Sequence, residues 1–228
     1  MIADKLRQAV LQAAISGHLT EQRKEDGTAA DLLEYIEVER KRLIEEGKLK
    51  KQKTFPLIPR DEEPFVIPES WKWIRFGNLV SFRMGKTPKR SEHKYWLNGT
   101  TPWVSISDMV QGQTVLSTKE KVTDEAVANA FGGVISPAGT LIMSFKLTIG
   151  RCSFLGFDAA HDEAIISIFP VVRSWDILPR YLAYSLPFFT SLGDSKAAMK
   201  GNTLNSSSLN MMKISLPLLP SKNVSSLS

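Results

Sequence analysis

Cysteine, histidine and long apolar runs are scarce in this sequence, and each shortage excludes a class of protein. There is one cysteine among the 228 residues, Cys152, so no disulfide can form within the chain. A lone cysteine is typical of a reducing cytoplasm, where we expect the protein to work. The apolar stretches at 139–145 and 164–172 are far shorter than the roughly 20 residues of a membrane-spanning helix, and the first residues lack the apolar segment of a signal peptide. We therefore expect no membrane association.

Sequence motifs for catalysis and metal binding are missing as well. Among the histidines only His161 has acidic neighbours, Asp162 and Glu163. Consecutive residues of a strand point to opposite faces, so these three side chains cannot all converge on one metal ion. Cys152 has no neighbouring histidine and is expected to be a buried, unreactive thiol. The sequence also lacks phosphate-binding loops, dinucleotide fingerprints, nucleophile elbows and amino-methyltransferase motifs. We therefore predict no catalytic residue, no metal site and no cofactor.

Positive charge is concentrated in one window of the chain. The whole sequence has a formal net charge of +5, and residues 71–100 contain seven Lys or Arg side chains against a single acid. The basic residues are Lys72, Arg75, Arg83, Lys86, Lys89, Arg90 and Lys94, and the acid is Glu92. A phosphate backbone attracts such a surface, but a solvated basic face that only keeps the protein soluble has the same composition. Charge alone leaves both interpretations open.

Two amphipathic helices are predicted at the N-terminal end. Apolar and small residues recur at intervals of three and four over residues 2–17, which places them on one stripe of a helix. Thr28 stands three residues before Asp31, the spacing of a capping box, and a second helix is predicted over residues 29–46. The polar face of this helix, which includes Arg40, is expected to stay in water.

Neither predicted helix has enough apolar surface to form a core alone. Each stripe must be buried against the other helix, the following domain or another protein. This pattern is typical of a spacer or docking element.

A proline-rich segment separates the helices from a second domain. Four prolines occur between residues 56 and 68, where they prevent a helix and favour extended chain. Downstream, short apolar runs alternate with glycine and proline turns and with modest helical segments, which indicates a mixed α+β domain. The predicted divisions are a helical spacer at 1–50, a linker at 51–67, the α+β domain at 68–220 and a flexible tail at 221–228.

Five strands and three helices are predicted within the α+β domain. The predicted strands are 79–82, 140–145, 152–155, 164–169 and 213–216, and the predicted helices are 124–130, 178–192 and 206–211. Pro187 lies inside one of these helices and is expected to kink or end it. Large aromatic side chains dominate protein cores, and core packing is therefore expected for Trp71, Trp73, Trp96 and Trp103.

Several short motifs occur in the order that one known family shows. Residues 11–20, 32–36 and 39–43 read LQAAISGHLT, LLEYI and ERKRL, and they resemble the central spacer of type I restriction-modification specificity subunits. The motif IPESWKW at 67–73 resembles the beginning of that family's target recognition domain. The motifs GKTP at 85–88, YW at 95–96, PWV at 102–104, LIMSF at 141–145, IG at 149–150, GNT at 201–203 and ISLP at 214–217 follow in the same order. Their order over most of the chain carries the resemblance.

The resemblance implies a sequence-specific DNA-binding module that reads one half of a split DNA site and breaks no bonds itself. In that family, the spacer helices set the distance to a second recognition domain and dock the methyltransferase (modification) subunits, through which the restriction subunit joins. The implied fold is α+β, with a two-helix spacer followed by a mixed α+β target recognition domain. Double-stranded DNA and methyltransferase subunits are the partners that the resemblance implies.

Three loops are expected to supply the side chains that bind DNA. They contain Lys86, Thr87, Lys89 and Arg90 in the first loop, Lys146, Thr148 and Arg151 in the second, and Lys200, Asn202 and Thr203 in the third. The cations and main-chain amides of such loops can bind phosphates. Lys or Arg can also pair with guanine in the major groove, at about 1 to 3 kcal/mol for a good bidentate contact.

Two departures from the family pattern add further expectations. A complete member has two recognition domains, and the distal spacer helix expected after residue 220 is replaced here by Ser-Lys-Asn-Val at 221–224. We therefore expect a fragment or a half-subunit whose first helix exposes an apolar stripe, which either folds back or drives self-association. Two other functions stay open: the recognition domain of a single-chain restriction enzyme, and a protein-interaction adaptor that does not bind DNA.

Overall fold

The described part of the chain is built as two units from segments that are distant in sequence. The structure, a computed structural model, describes residues 2–19, 21, 28–49, 51, 54–172, 177–192 and 204–217. The first unit contains the described residues of 1–79, 170–178 and 209–228, and the second unit contains those of 80–169 and 179–208. Among the described helices, none is long and apolar enough to cross a bilayer.

Both N-terminal helices form close to their predicted limits in the first unit. Helix α1 runs Ile2–Ile15 and helix α2 runs Ala29–Glu45. Thr28 caps α2 through the predicted capping box: its side chain accepts a hydrogen bond from the Asp31 amide, and the Asp31 carboxylate accepts one from the Thr28 amide at 2.9 Å. These two bonds satisfy amide groups that the first turn of a helix otherwise leaves unpaired, which fixes where α2 begins.

The apolar stripe of α1 is exposed at one end and buried at the other. Ile2, Leu6 and Val10 are 86%, 64% and 50% exposed, whereas Ile15 is only 2% exposed. At the buried end the Ser215 hydroxyl donates to the main-chain oxygen of Ile15 at 2.7 Å. The predicted exposed stripe is therefore present along the first part of α1, while the end of the helix is anchored within the first unit.

Arg40 departs from the prediction that the polar face of α2 stays in water. Its side chain is buried, and Nη2 donates to the main-chain oxygens of Asn78 at 2.6 Å and Gly77 at 3.3 Å. The expectation for Arg40 is wrong because helical periodicity records only the polarity of a position, whereas a guanidinium can be buried wherever main-chain oxygens accept its N–H groups.

A short antiparallel sheet completes the first unit. Strand β1, Lys72–Arg75, leads into the one-turn helix α3, Phe76–Leu79, and pairs with strand β10, Lys213–Leu216. Lys72 lies opposite Leu216 in this ladder. Trp71 and Trp73 are buried here, in agreement with their predicted role as core residues.

Two sheets form most of the second unit. The five-stranded sheet has the order β2-β9-β6-β7-β4 and the three-stranded sheet has the order β5-β3-β8. Their strands are β2 Val80–Met84, β3 Thr101–Val104, β4 Thr114–Val115, β5 Glu120–Val122, β6 Leu141–Ser144, β7 Cys152–Leu155, β8 Ala160–His161 and β9 Ile165–Pro170. The remaining helices are α4 Asp124–Phe131, α5 Ile177–Leu192 and α6 Ser206–Met211.

Strand β3 shows how these layers pack. Trp103 joins a buried cluster with Ala126 of α4, and its neighbour Val104 joins a different cluster with Ile142 and Ile165 of the five-stranded sheet. Adjacent residues of a strand point to opposite faces, so the three-stranded sheet lies between α4 and the five-stranded sheet. Helices and sheets mixed in this way confirm the predicted α+β class.

The predicted strands and helices form within one or two residues of their predicted limits, but five strands are missed. The missed strands are β1, β3, β4, β5 and β8. Strand β3 is the middle strand of its sheet and contains Pro102, a residue that normally argues against a central strand. Strands β4 and β8 have two residues each, which is too short for alternation to be recognised. Helix α5 continues through Pro187 to Leu192, so Pro187 does not end it.

Candidate nucleic-acid interface

The first basic loop, residues 85–90, is fixed through its main chain. The Gly85 amide donates to the Ile165 oxygen at 2.9 Å, and the Lys86 amide donates to the His161 oxygen at 2.9 Å. A Cβ atom at position 85 would lie only 2.1 Å from the His161 oxygen, so this close approach requires glycine. The backbone of the loop is therefore held in place without the help of its basic side chains.

Two tryptophans add a second set of bonds to the same loop. The indole Nε1 of Trp103 donates to the Lys86 oxygen at 3.1 Å, and Nε1 of Trp96 donates to the Lys89 oxygen at 3.2 Å. Trp103 is buried, as predicted for a core residue, whereas Trp96 is only half-buried. Both side chains thus serve packing and also fix the position of the loop.

Carboxylates from neighbouring segments partner two of the loop's predicted DNA-binding cations. The Arg90 guanidinium pairs with Glu120, with Nη2 and Oε2 3.0 Å apart, and lies 3.9 Å from the centre of the Trp96 ring. Lys89 Nζ lies 3.3 Å from Glu92. Exposed pairs of this kind contribute about 0 to 1 kcal/mol each, so a phosphate can replace the carboxylate at small cost.

Fewer positive charges are free in the folded chain than the seven Lys and Arg side chains of residues 71–100 suggest. Arg75 is buried and lies 3.4 Å from Glu62, and Lys94 lies 2.8 Å from Glu125. Glu62 and Glu125 are outside the window, so only the folded chain shows that they balance its charge.

Lys86 and Thr87 differ in their surroundings. The Thr87 hydroxyl donates to the Glu163 carboxylate. The Lys86 side chain is exposed, and no carboxylate of the described chain lies within ion-pair distance of it. Among the predicted contacts of the first loop, Lys86 is thus the cation left for an external anion.

The second basic loop connects β6 to β7. Lys146 is half-buried with its Nζ 5.6 Å from the centre of the Phe145 ring, and Thr148 is exposed. Arg151 is half-buried, and its Nη1 donates to the main-chain oxygen of Ile106 at 3.2 Å. The three predicted residues of this loop therefore range from solvent-facing Thr148 to Arg151, which is held by the protein itself.

One turn, residues 161–165, joins the two loops. The first loop bonds to the main-chain oxygens of its first and last residues, and the Phe145 amide, at the start of the second loop, donates to the Ala164 oxygen at 2.9 Å. The Leu204 amide donates to the Phe145 oxygen at 2.9 Å. Leu204 directly follows the third loop in sequence, so this bond links that point of the chain to the start of the second loop. The third-loop residues Lys200, Asn202 and Thr203 lie outside the described residues.

A chain of hydrogen-bonded polar side chains runs from half-buried Arg83 to buried His161. Arg83 Nη2 donates to the Ser136 hydroxyl at 2.9 Å, the Ser136 and Ser167 hydroxyls are 2.5 Å apart, and Ser167 is 2.6 Å from His161 Nε2. A guanidinium can only donate hydrogen bonds. Every link is satisfied when Ser136 donates to Ser167 and Ser167 donates to Nε2 of an uncharged His161.

The surroundings of His161 keep it uncharged. The pKa of His161 is lowered to about 4, chiefly by burial and also by the nearby positive charge of Arg83, while hydrogen bonds to main-chain oxygens partly oppose the shift. Arg83 belongs to the basic window but is not among the predicted site residues; it lies in strand β2, just before the first basic loop.

The three polar residues 161–163 point to separate partners. His161 bonds to Ser167, Asp162 accepts from the Ala164 amide at 2.6 Å, and Glu163 accepts from Thr87. Among the described residues no group of three or more side chains is placed to hold a metal ion. Cys152 is buried, and burial raises the pKa of its thiol.

Comparison with known proteins identifies the family. Residues 68–226 match the family model described as the type I restriction modification DNA specificity domain. The chain belongs to this family. The match confirms the resemblance that the order of the motifs indicated.

The specificity-domain chain is similar to parts of longer proteins. It is 44% identical over 82 residues to the specificity subunit of the type I restriction enzyme EcoAI from Escherichia coli, which covers 36% of this chain and 14% of that subunit. It is 42% identical over 78 residues to the EcoEI subunit of the same organism, with 34% and 13% covered. The HsdS subunit from Thermoanaerobacter tengcongensis is 17% identical with a TM-score of 0.45, covering 93% of this chain and 46% of that one.

The named relatives also bear on catalysis. Both E. coli relatives are specificity subunits, and specificity subunits of type I restriction systems are non-catalytic. Membership of this specificity-domain family, rather than the absence of motifs, confirms the expectation that the chain is not itself an enzyme.

Proposed function

We propose that this chain is a DNA-recognition module that reads one half of a bipartite site in double-stranded DNA, in the cytoplasm, as part of a type I restriction-modification system. The observation that carries the proposal is the turn 161–165, which holds two basic loops by main-chain hydrogen bonds. The family match over residues 68–226 supports DNA as the ligand.

The geometry supports Lys86 as the leading phosphate contact. Its backbone is fixed by His161 and Trp103 while its side chain is exposed, so binding a phosphate orders only one side chain. Lys89 and Arg90 can also bind phosphates, because each can exchange its exposed carboxylate partner for a phosphate. Contacts to phosphates fix the register of the module on the duplex, and contacts to base edges supply specificity.

The remaining predicted residues of the three loops are also proposed to contact DNA. Thr87 and Thr148 offer hydroxyls that can donate to phosphate or base oxygens. Further cations and polar groups from the second and third loops complete the set, namely Lys146, Arg151, Lys200, Asn202 and Thr203.

The N-terminal helices are the proposed docking element for methyltransferase subunits, through which the restriction subunit joins. The exposed apolar side chains of Ile2, Leu6 and Val10 support this, because they recur every four residues on one helix face. Self-association through the same stripe is the alternative, and sedimentation velocity of the isolated chain over a wide concentration range decides between them. A strict monomer that nevertheless co-purifies with a methyltransferase subunit favours docking, whereas dimerisation that disappears in Leu6→Glu favours self-association.

Duplex binding is the experiment that tests the proposed recognition function. The full chain is titrated with a pool of fluorescent random-sequence duplexes at two salt concentrations, and anisotropy reports binding. Several phosphate contacts give a steep loss of affinity with salt. A protein-interaction adaptor gives no salt-dependent binding, and that result would exclude recognition of DNA by this chain alone.

A further inference from the structure

Arg83 is a half-buried cation that has no acidic partner among the described residues. Its Nη2 donates to the Ser136 hydroxyl, and its guanidinium lies 5.6 Å from the centre of the Phe169 ring. Neither partner carries a negative charge, and in the described chain no carboxylate lies within ion-pair distance of Arg83. Desolvation lowers the pKa of Arg83, the direction expected for a guanidinium that has lost water without gaining an anion.

A cavity of about 200 Å³ lies beside this cation. Arg83 and Lys86 both line it, together with the buried polar residues Ser136 and His161. Within the described part of the chain no acidic side chain contributes to its lining, and His161 is uncharged. The positive charge facing the cavity is therefore uncompensated, and burying such a charge costs free energy unless an anion joins it.

We propose that this cavity binds a phosphate group between Arg83 and Lys86. A guanidinium has five N–H donors in a planar fork that matches two phosphate oxygens, and one nitrogen of Arg83 is already oriented by Ser136. Lys86, whose side chain is exposed, adds a flexible point charge. The hydrogen-bonded chain of Ser136, Ser167 and His161 holds one nitrogen of the guanidinium in place, so the phosphate meets a preorganised donor.

The apolar part of the cavity lining indicates what carries the phosphate. It includes Phe131, Val134 and Ile135. A free inorganic ion makes no use of apolar surface, whereas the sugar next to a backbone phosphate can pack against it. The duplex is therefore the favoured source of the phosphate group, and this part of the inference rests on the proposed function.

Thermal unfolding of the full chain with inorganic phosphate is the first arm of the test. Sodium phosphate is compared with sodium chloride at equal ionic strength, so that general screening cancels. The wild type is expected to gain a higher Tm in phosphate, and Arg83→Gln and Lys86→Gln to lose that gain. Lys121→Gln, which removes an exposed cation from β5 away from the cavity lining, is expected to keep it.

Duplex binding is the second arm. Removing one contact to a phosphate makes the slope of log affinity against log salt shallower by about one, and this is the change expected for Arg83→Gln. A changed slope identifies the DNA backbone as a source of the phosphate, and Arg83-dependent stabilisation by inorganic phosphate identifies the free ion as a ligand. Should Arg83→Gln fail to fold, Lys86→Gln and the wild-type response to phosphate still decide the first arm.

The two proposals fail in different ways. A wild type that binds duplex while neither its salt slope nor any stabilisation by phosphate depends on Arg83 would overturn the cavity site and leave the recognition function standing. Arg83-dependent stabilisation by phosphate in a chain that binds no duplex would support the cavity and contradict the recognition function. Equal Tm gains in wild type and Arg83→Gln, with equal salt slopes, would also overturn the cavity site.

Discussion

Arg40 Nη2 donates to the main-chain oxygen of Asn78 at 2.6 Å, and the Asn78 side chain bonds in turn to both the amide and the oxygen of Phe55 at 3.0 Å. Helix α2 is thereby tied to α3 and to the segment that carries Phe55. These hydrogen bonds join the spacer helix to the rest of the first unit by polar contacts.

Removing the Arg40 side chain is expected to destabilise the fold. Hydrogen bonds to a charged group contribute about 1.5 to 3 kcal/mol, so Arg40→Ala should lower the free energy of unfolding by about that amount. Urea denaturation followed by circular dichroism measures the change. The matched control is Lys41→Ala, which removes the exposed neighbouring cation and should stay within about 0.5 kcal/mol of the wild type. Equal losses in the two variants would contradict the buried role of Arg40.

Trp103 is expected to control the order of the first basic loop. Trp103→Phe removes the indole N–H that bonds to the Lys86 oxygen while keeping a large apolar ring, so the amides of Gly85 and Lys86 should exchange hydrogen faster. Mass-detected hydrogen exchange on peptides covering 85–90 measures this. Trp73→Phe is the matched control, because it removes an indole bond to Phe65 in the first unit. Unchanged exchange in Trp103→Phe would show that Gly85 and Lys86 are held by their amide bonds alone.

Several of these relationships could be predicted from sequence and others could not. The capping box of Thr28 and Asp31 and the strand at 152–155 are local patterns, and both occur as predicted. The partners of Arg40, Arg83 and Arg90 lie at sequence separations of 38, 53 and 30 residues, respectively. Sequence periodicity carries no information about such separations. The loop that contains Lys86 could therefore be located from the sequence. Which of its cations form ion pairs with carboxylates, and which do not, is visible only in the folded structure.

His161 should make stability depend on pH. Its folded-state pKa is lowered to about 4 from 6.5, so the unfolded chain binds the proton first as pH falls. Stability is therefore expected to be lost between pH 6.5 and 4, by on the order of 3 kcal/mol at 1.36 kcal/mol per pKa unit. Urea midpoints measured across this range should fall less steeply in His161→Gln than in the wild type or in His93→Gln, which changes an exposed histidine. Identical slopes in all three proteins would contradict a buried, uncharged His161.

Cys152 should be unreactive in the folded protein. The side chain is buried and its thiol pKa is raised by desolvation, so little thiolate forms near neutral pH. A chromogenic disulfide reagent at pH 8 is expected to react slowly with the native chain and fast in denaturing urea. Rapid reaction of the native chain would mean that strand β7 opens readily or that the thiol is exposed.

Charge reversal at Lys86 tests the central claim most directly. Lys86→Glu and Lys72→Glu have the same net charge and both change an exposed lysine, but only Lys86 lies on the loop held by the turn 161–165. The measurement is the salt dependence of duplex affinity for the two variants and the wild type. We predict that Lys86→Glu binds far more weakly and with a shallower salt slope, while Lys72→Glu stays close to the wild type. Equal affinities and slopes for the two variants would contradict the assignment of DNA binding to this loop.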